Sequence, residues 1–335
     1  MNMEKLSRII TYIKRISFFN IFDSFITFLI LLIISFFATI LTKWILLEAD
    51  WSVVSQNLHL FVFGLFPAQE MWRPATWLFL LACLAIITLL GSGSDWIRRL
   101  LPLAWIGVIP LGVALLAGGL GLTPVASRHW GGLTLTIVLM TCSSLLAFPL
   151  GIALALGRQS KLSMIKFLSG IYIDTLRAIP LIAVLFFGQL LIPLFLPIGF
   201  EINRVLRAIL AFSIFVSAYV AEDIRGGLQS IPNSQIEAAK ALGLGNIQIN
   251  QYIILPQALR IALPALTNQA IGLLQNTSLM SILGLVELLG ISRSLLANPK
   301  FIGSYLEVYV WLAGIYWLIC TVMALLARHL EKQDH

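Results

Sequence analysis

Long apolar runs separated by short polar segments recur along the whole chain. A helix that crosses a bilayer needs about 20 mostly apolar residues. Eight stretches meet or approach that length: Phe25–Leu47, Thr76–Leu90, Leu101–Leu122, Gly132–Leu156, Ile171–Leu194, Val205–Ile224, Ala258–Leu285 and Tyr305–Ala327. The second is short. The seventh differs from the rest, because it carries Pro264, Asn268, Gln275, Asn276, Thr277 and Ser278, the last four roughly halfway along it. A polar stretch within a span has to face protein or water, since lipid offers it no hydrogen bonds. The pattern predicts an all-α integral membrane protein with about eight transmembrane helices.

Composition leads the same way. Of 335 residues, 59% are hydrophobic and only 11% charged, with a mean hydropathy of +0.95. Soluble domains carry roughly 25% charged residues, and a water-soluble core cannot hold so large an apolar share. The net charge of +7 raises the question of nucleic acid. The basic residues, however, sit in short segments between apolar runs, and no nucleic-acid-binding motif accompanies them.

Their distribution instead predicts orientation. Lys5, Arg8, Lys14 and Arg15 precede the first span, Arg98 and Arg99 follow the second, Arg158, Lys161 and Lys166 the fourth, and Arg328 and Lys332 the last. If eight spans alternate, these all share one side. The largest loop on the other side carries Glu48, Asp50, Glu70 and Arg73. Both termini are therefore expected in the cytoplasm. Residues 1–24 are basic; they either lie on the inner membrane face as an amphipathic helix or form an unstructured tail. No cleavage site of a signal peptide is evident before the first span.

Little in the chain points to catalysis. Cys83, Cys142 and Cys320 lie inside apolar runs with no CxxC spacing, as expected of lone thiols buried in helices. His59, His129, His329 and His335 do not form HExxH. No GxxxxGK[ST] loop is present to bind a nucleotide.

The most informative polar segment is Gly226–Leu255, followed by Pro256, on the predicted cytoplasmic side. Ser234 with Glu237 three residues on reads as a capping box that opens a short helix. Good helix formers follow up to Leu242, and Gly243 supplies a left-handed stop. Asn246 is placed to cap a second short helix, which should end near Leu255 because proline disfavours helix in the residue before it. Two short helices across the membrane face are predicted.

Glu237-Ala238-Ala239, Gly243, Ile253, Leu255 and Pro256 match EAA-x3-G-x9-I-x-LP at every fixed position. This resembles the signature of binding-protein-dependent ABC importer permeases. Further resemblance, to the polar amino-acid branch, runs through Gly132-Leu133, Thr134, Thr136, Gly151, Arg158 and Ser160; through Tyr172, Arg177, Pro180 and Leu181; and through Ser217-Ala218-Tyr219, Glu222 and Arg225-Gly226-Gly227. The longer layout is similar to the general L-amino-acid permease subunits. The chain departs from the family at Ser234-Gln235, where GQ is usual, and at Gln275, where lysine is usual, which leaves the substrate class less fixed than the family.

The resemblance implies a five-helix permease core over residues 131–328 with an EAA loop at 233–256. Three additional helices occupy 25–130, and a cytoplasmic tail occupies 329–335. It implies that Ser234, Gln235, Glu237, Ala238, Ala239, Gly243, Leu255 and Pro256 form the coupling element for a separate ATPase, and that ATP and Mg act on that partner, with no cofactor on this chain. The other implied partners are a second related permease or a second copy of this chain, an amino-acid-binding protein outside the cell, and the lipid of a bacterial-type inner membrane, with no nucleic acid; the long layout favours a hetero-pair. Gln275, Asn276, Thr277 and Ser278 are candidate substrate-pathway residues or helix–helix hydrogen bonders. Arg177, Glu222, Asp223 and Arg225 form either a gate or pairing between spans. The alternative function is a self-sufficient channel or ion-coupled transporter, which gives the EAA loop no role.

Overall fold

The computed structural model describes residues 21–90, 95–119, 121–197 and 199–333. Residues 1–20 of the basic N-terminal segment lie outside the described residues, as do the last two of the tail. The described chain is almost wholly helical, and its one β-bridge joins Gly132 to Glu287.

The helices are α1 (Ile21–Lys43), α2 (Ser52–Ser55), α3 (Leu58–Phe63), α4 (Trp72–Leu90), α5 (Asp95–Ala117), α6 (Gly132–Arg158), α7 (Ser163–Ala178), α8 (Leu181–Phe186), α9 (Arg204–Gln229), α10 (Asn233–Ala241), α11 (Asn246–Ile249), α12 (Leu255–Asn276), α13 (Leu288–Leu296) and α14 (Tyr305–Gln333). Among the described residues, six helical stretches are long and apolar enough to cross a membrane: Phe22–Glu48, Ala68–Leu90, Arg99–Ala117, Gly132–Arg158, Arg204–Gln229 and Tyr305–Glu331. A bent pair makes a seventh if it counts as one span. The chain divides into two units, Met1–Ser52 and Val53–His335. In the first, α1 is apolar around its whole circumference, as a helix solvated by lipid must be.

Three expectations about the spans are corrected. The fifth is not one straight helix from Ile171 to Leu194. Helix α7 stops at Ala178, and the chain turns by 104° into the stretch Leu181–Phe195. Pro180 lacks an N–H, and Ile179 before it is driven into extended backbone (φ −91°, ψ 136°), so the helical hydrogen bonds cannot continue. The second span is longer than expected, because a 3₁₀ turn at Ala68–Glu70 precedes α4 and extends the helical stretch to 23 residues. The seventh, α12, ends at Asn276 and passes into a 3₁₀ turn over Thr277–Ser281. It is not among the six, in keeping with its polar residues. The three cysteines are free and half-buried rather than fully buried.

Small residues let α6, α9 and α12 approach closely, which is how helices associate when lipid removes the hydrophobic drive between them. Where α9 meets α12, a Cβ at Gly227 would fall 2.3 Å from the Ala258 carbonyl oxygen, so no other residue fits there. The Ser143 hydroxyl donates to Ile209 O (3.3 Å) and ties α6 to α9. Tyr172 on α7 donates to Ile214 O (2.9 Å) and meets Ser217 Oγ at 2.9 Å. Such interhelical bonds contribute about 0.6 kcal/mol each.

Residues between Val53 and Trp130 pack onto the same core. Thr134 donates to Val62 O (2.8 Å), at the end of α3. Buried Arg73 pairs with Glu70 (2.7 Å) and donates to Thr123 O (2.7 Å), which fastens the start of α4 to the segment after α5. The start of α6 is held by the turn before α13: Gly132 N–H donates to Val286 O (2.9 Å) and Leu288 N–H to Thr136 Oγ1 (3.1 Å). Glu287, fully buried, accepts the N–H groups of Leu289 and Gly290 (both 2.9 Å) and caps α13. Burial pushes its carboxyl up to about 7 despite those two amides.

Candidate functional site

The EAA loop folds as two short helices, α10 and α11, but not with the caps its sequence predicts. Helix α10 begins at Asn233, after Pro232 in extended backbone, and no side chain caps it. Ser234 and Glu237 therefore lie inside the helix, and no capping box forms, because Pro232 has already fixed the entry two residues earlier. The stop is as predicted. Gly243 has φ +80°; its N–H donates to Lys240 O (2.9 Å), and Leu244 N–H reaches back to Ala239 O (3.1 Å). These two bonds are the Schellman pattern, which the left-handed glycine makes possible.

The second helix also differs. Its cap position is Gly245, whose N–H donates to Gln248 Oε1 (3.0 Å), and Asn246 is the first helical residue. It does not end near Leu255. Helix α11 runs through a π-helical turn, Asn250–Ile254, straight into α12, where Pro256 lies in the first turn. The π turn carries the chain through, with Leu255 N–H donating to Asn250 O and Pro256, which has no N–H, next in line. The loop is thus continuous with the base of α12.

Its two faces have different characters. Ala239, Ile249 and Ile254 are buried and join the core cluster with Leu228 and Ile231. Gln257 donates to Gln235 Oε1 (2.7 Å) and clips α12 to α10. The opposite face carries Glu237, Ala238, Leu242 (81% exposed), Ile247 (80%) and Tyr252 (67%). So the adjacent alanines of the signature point apart: Ala239 packs the loop onto its own protein, and Ala238 faces out. The exposed apolar trio is not singled out by the sequence pattern.

Where α9 approaches the loop, Arg177, Glu222 and Arg225 come together as expected, and two more residues join them. Glu222 pairs with Arg225 on its own helix, with Arg177 of α7 (3.7 Å) and with Arg158 at the end of α6 (3.6 Å). Arg158 also grips Asp174 of α7 through two bonds, 2.8 and 3.1 Å. Arg177 lies 5.7 Å over the Tyr219 ring. Asp223 forms no ion pair with these arginines, and its Oδ2 is buried without a hydrogen-bond partner. The cluster therefore joins α6, α7 and α9 by ion pairs. The sequence marks Arg158 as a loop charge and a point of family resemblance and does not mark Asp174, because their partners are distant in sequence.

Gln275 to Ser278 stand at the C-terminal end of α12 and in the turn after it, not halfway along a span. Thr277 is fully buried and donates to Leu274 O (2.6 Å), Ser278 donates to Gln275 O (2.7 Å), and Gln275 Nε2 lies 3.8 Å from Cys320 Sγ on α14. Both hydroxyls satisfy the local backbone as the helix tightens to 3₁₀.

This arrangement has relatives. Residues 147–333 match the family described as the binding-protein-dependent transport system inner membrane component. The inner membrane amino-acid ABC transporter permease protein YhdY of Escherichia coli (strain K12) is 38% identical over 293 residues, covering 85% of this chain and 78% of the relative. The glutamate/glutamine/aspartate/asparagine transport system permease protein BztC of Rhodobacter capsulatus is 33% identical over 346 residues, covering 86% and 80%. Among solved structures, a chain of an amino acid ABC transporter crystallised with histidines matches with a TM-score of 0.54 at 30% identity, covering 60% of this chain and 92% of that one.

Proposed function

The chain belongs to the family of binding-protein-dependent transport system inner membrane components, and from that premise we infer how it works: as the membrane-embedded permease of an amino-acid importer, it takes its driving force through the loop at 233–256. The observation that carries this reading is the two-faced loop. One face, with Ala239 and Ile249, is packed into the protein; the other presents Glu237, Leu242, Ile247 and Tyr252 outside the spans. An apolar patch with a charged neighbour, held on a rigid turn, suits docking into a groove of a partner.

We assign that partner as a separate ATPase, which holds ATP and Mg, with this chain non-catalytic. Because α11 continues into α12 through a π turn, a push on the loop moves α12 directly. The ion cluster at the base of α9 is the gate that yields: opening it separates Glu222 from Arg177 and Arg158 on neighbouring helices. Gln275, Asn276, Thr277 and Ser278 are assigned to the pathway beyond it. The assembly includes an amino-acid-binding protein outside and a second permease, a related chain in preference to a second copy. It sits in a bacterial inner membrane with both termini in the cytoplasm, and its cargo is polar or broad-range L-amino acids, in line with the substrates named for BztC. A self-sufficient transporter leaves the exposed loop face without a use.

The test is uptake of a mixture of labelled L-amino acids into vesicles holding this chain, its ATPase and its sister permease, with binding protein added outside. Uptake is expected only with ATP at the loop side, and Leu242→Asp is expected to abolish it and to release the ATPase on purification. Uptake that ignores ATP contradicts the reading.

A further inference from the structure

At the end of α9 away from the loop, a cavity of about 560 Å³ opens between residues 126–130, the start of α9 and the turn at 284–286. Its charged lining is Arg128, Glu201, Arg204 and Arg207. Asn203 closes one wall by donating to Ser127 Oγ (2.5 Å), and Arg204 Nη1 lies beside the Gly284 turn. Arg207 donates to Gln189 O (2.6 Å) through Nη1, while its Nε is buried with no hydrogen-bond partner. Among the described residues, Arg73, Arg158, Arg177 and Arg225 each pair with a carboxylate, whereas none of these three guanidinium groups has one within 4.0 Å.

Guanidinium groups crowded around a concave, partly desolvated space repel one another and attract an anion, for which their planar forks match a carboxylate. Glu201 on the rim adds a place for a cation. One small molecule carries both: a free amino acid, with its carboxylate and its ammonium group.

We propose that this cavity is the outer receiving site for the transported amino acid, with Arg204 and Arg207 taking its carboxylate, Arg128 adding attraction and Glu201 meeting the ammonium. This rests on the import reading above and deepens it. The arginine excess favours acidic and neutral amino acids over basic ones.

Equilibrium binding of labelled L-glutamate to the complete permease–ATPase complex in nanodiscs, without binding protein, tests it. The expected result is saturable binding that L-glutamine competes for and L-glutaminamide, which has no carboxylate, does not. Arg204→Gln should weaken it about tenfold and Arg204→Lys less, with ATPase still bound to both. Three results overturn the proposal: no saturable binding at millimolar glutamate, equal competition by L-glutaminamide, or an unchanged affinity in Arg204→Gln. If Arg204→Gln instead weakens capture of the binding protein and leaves glutamate binding intact, the cavity is a protein-docking patch and the proposal also fails. ATP-dependent uptake by wild-type vesicles, run in parallel, separates the two readings. If uptake persists, only the cavity assignment is lost; if it is absent, the import reading falls as well.

Discussion

Neighbouring glycines of the Arg225-Gly226-Gly227 run do different things, and the difference is measurable. A Cβ on Gly226 meets nothing within 4 Å, whereas one on Gly227 meets the Ala258 backbone, which cannot step aside. Gly227→Ala should therefore lower the thermal midpoint of the purified protein, by about 1–3 kcal/mol of overpacking, while Gly226→Ala leaves it near wild type. Equal midpoints for the two variants would refute the close α9–α12 contact. Glu287 gives a second test at this scale. Its carboxyl is raised from the ordinary value of 4.5 to about 7 by burial, so the folded state holds a proton that the unfolded chain has lost. Its stability contribution is full below the unfolded pKa and is lost as pH rises through about 7. The thermal midpoint of the wild type should fall between pH about 5 and about 8, and Glu287→Gln, which keeps an acceptor for Gly290 N–H, should remove that part of the fall. A pH profile identical in the two proteins would count against it.

At the scale of elements, one carboxylate draws three helices together at the base of the bundle. Glu222 holds arginines from α6, α7 and its own helix. Neutralising it leaves those cations facing one another, which costs roughly 1–3 kcal/mol. If the cluster is the gate, Glu222→Gln should raise ATP hydrolysis in the absence of binding protein and lower the uptake obtained per ATP; hydrolysis still fully dependent on binding protein would argue for a purely structural pairing. What the sequence conveyed about these elements depended on how local each signal was. The stop at Gly243 was legible because a left-handed glycine needs only its neighbours. The helix start was misplaced at Ser234 because Pro232 competes for the same role, and a proline entry and a capping box look alike until the backbone is seen. Pro180 stood in view within the fifth span, yet apolar length outweighed it, and the 104° turn followed from the proline. The sequence predicts a helix end near Leu255, but a π turn carries the helix past it into Pro256.

For the whole molecule, the apolar pattern was enough to give a helical membrane protein, but not its number of crossings. Polar residues along α12 and the break between α7 and α8 make that count depend on how a span is defined. Nor could the pattern reveal the arginine-lined cavity, since residues 126–130, 201–207 and 284–286 meet only through the packing of α6, α9 and α13. Orientation rests on the charges of the short loops. A single cysteine placed after Gly243 in a cysteine-free background should react with a membrane-impermeant maleimide only in inside-out vesicles, and one placed beside Glu201 only in right-side-out vesicles. Labelling of both from the same side would invert or break the assigned topology.

The most direct test of the central claim, that the loop at 233–256 transmits the ATPase's work to α12, is to measure ATP hydrolysis and amino-acid uptake on the same vesicles, for wild type and Gly243→Asp. A β-carbon at φ +80° costs on the order of 1–2 kcal/mol and strains the turn between α10 and α11, while meeting nothing within 4 Å. The account predicts that Gly243→Asp inserts normally but takes up no amino acid, with hydrolysis no longer stimulated by loaded binding protein. Uptake per ATP equal to that of the wild type would contradict it.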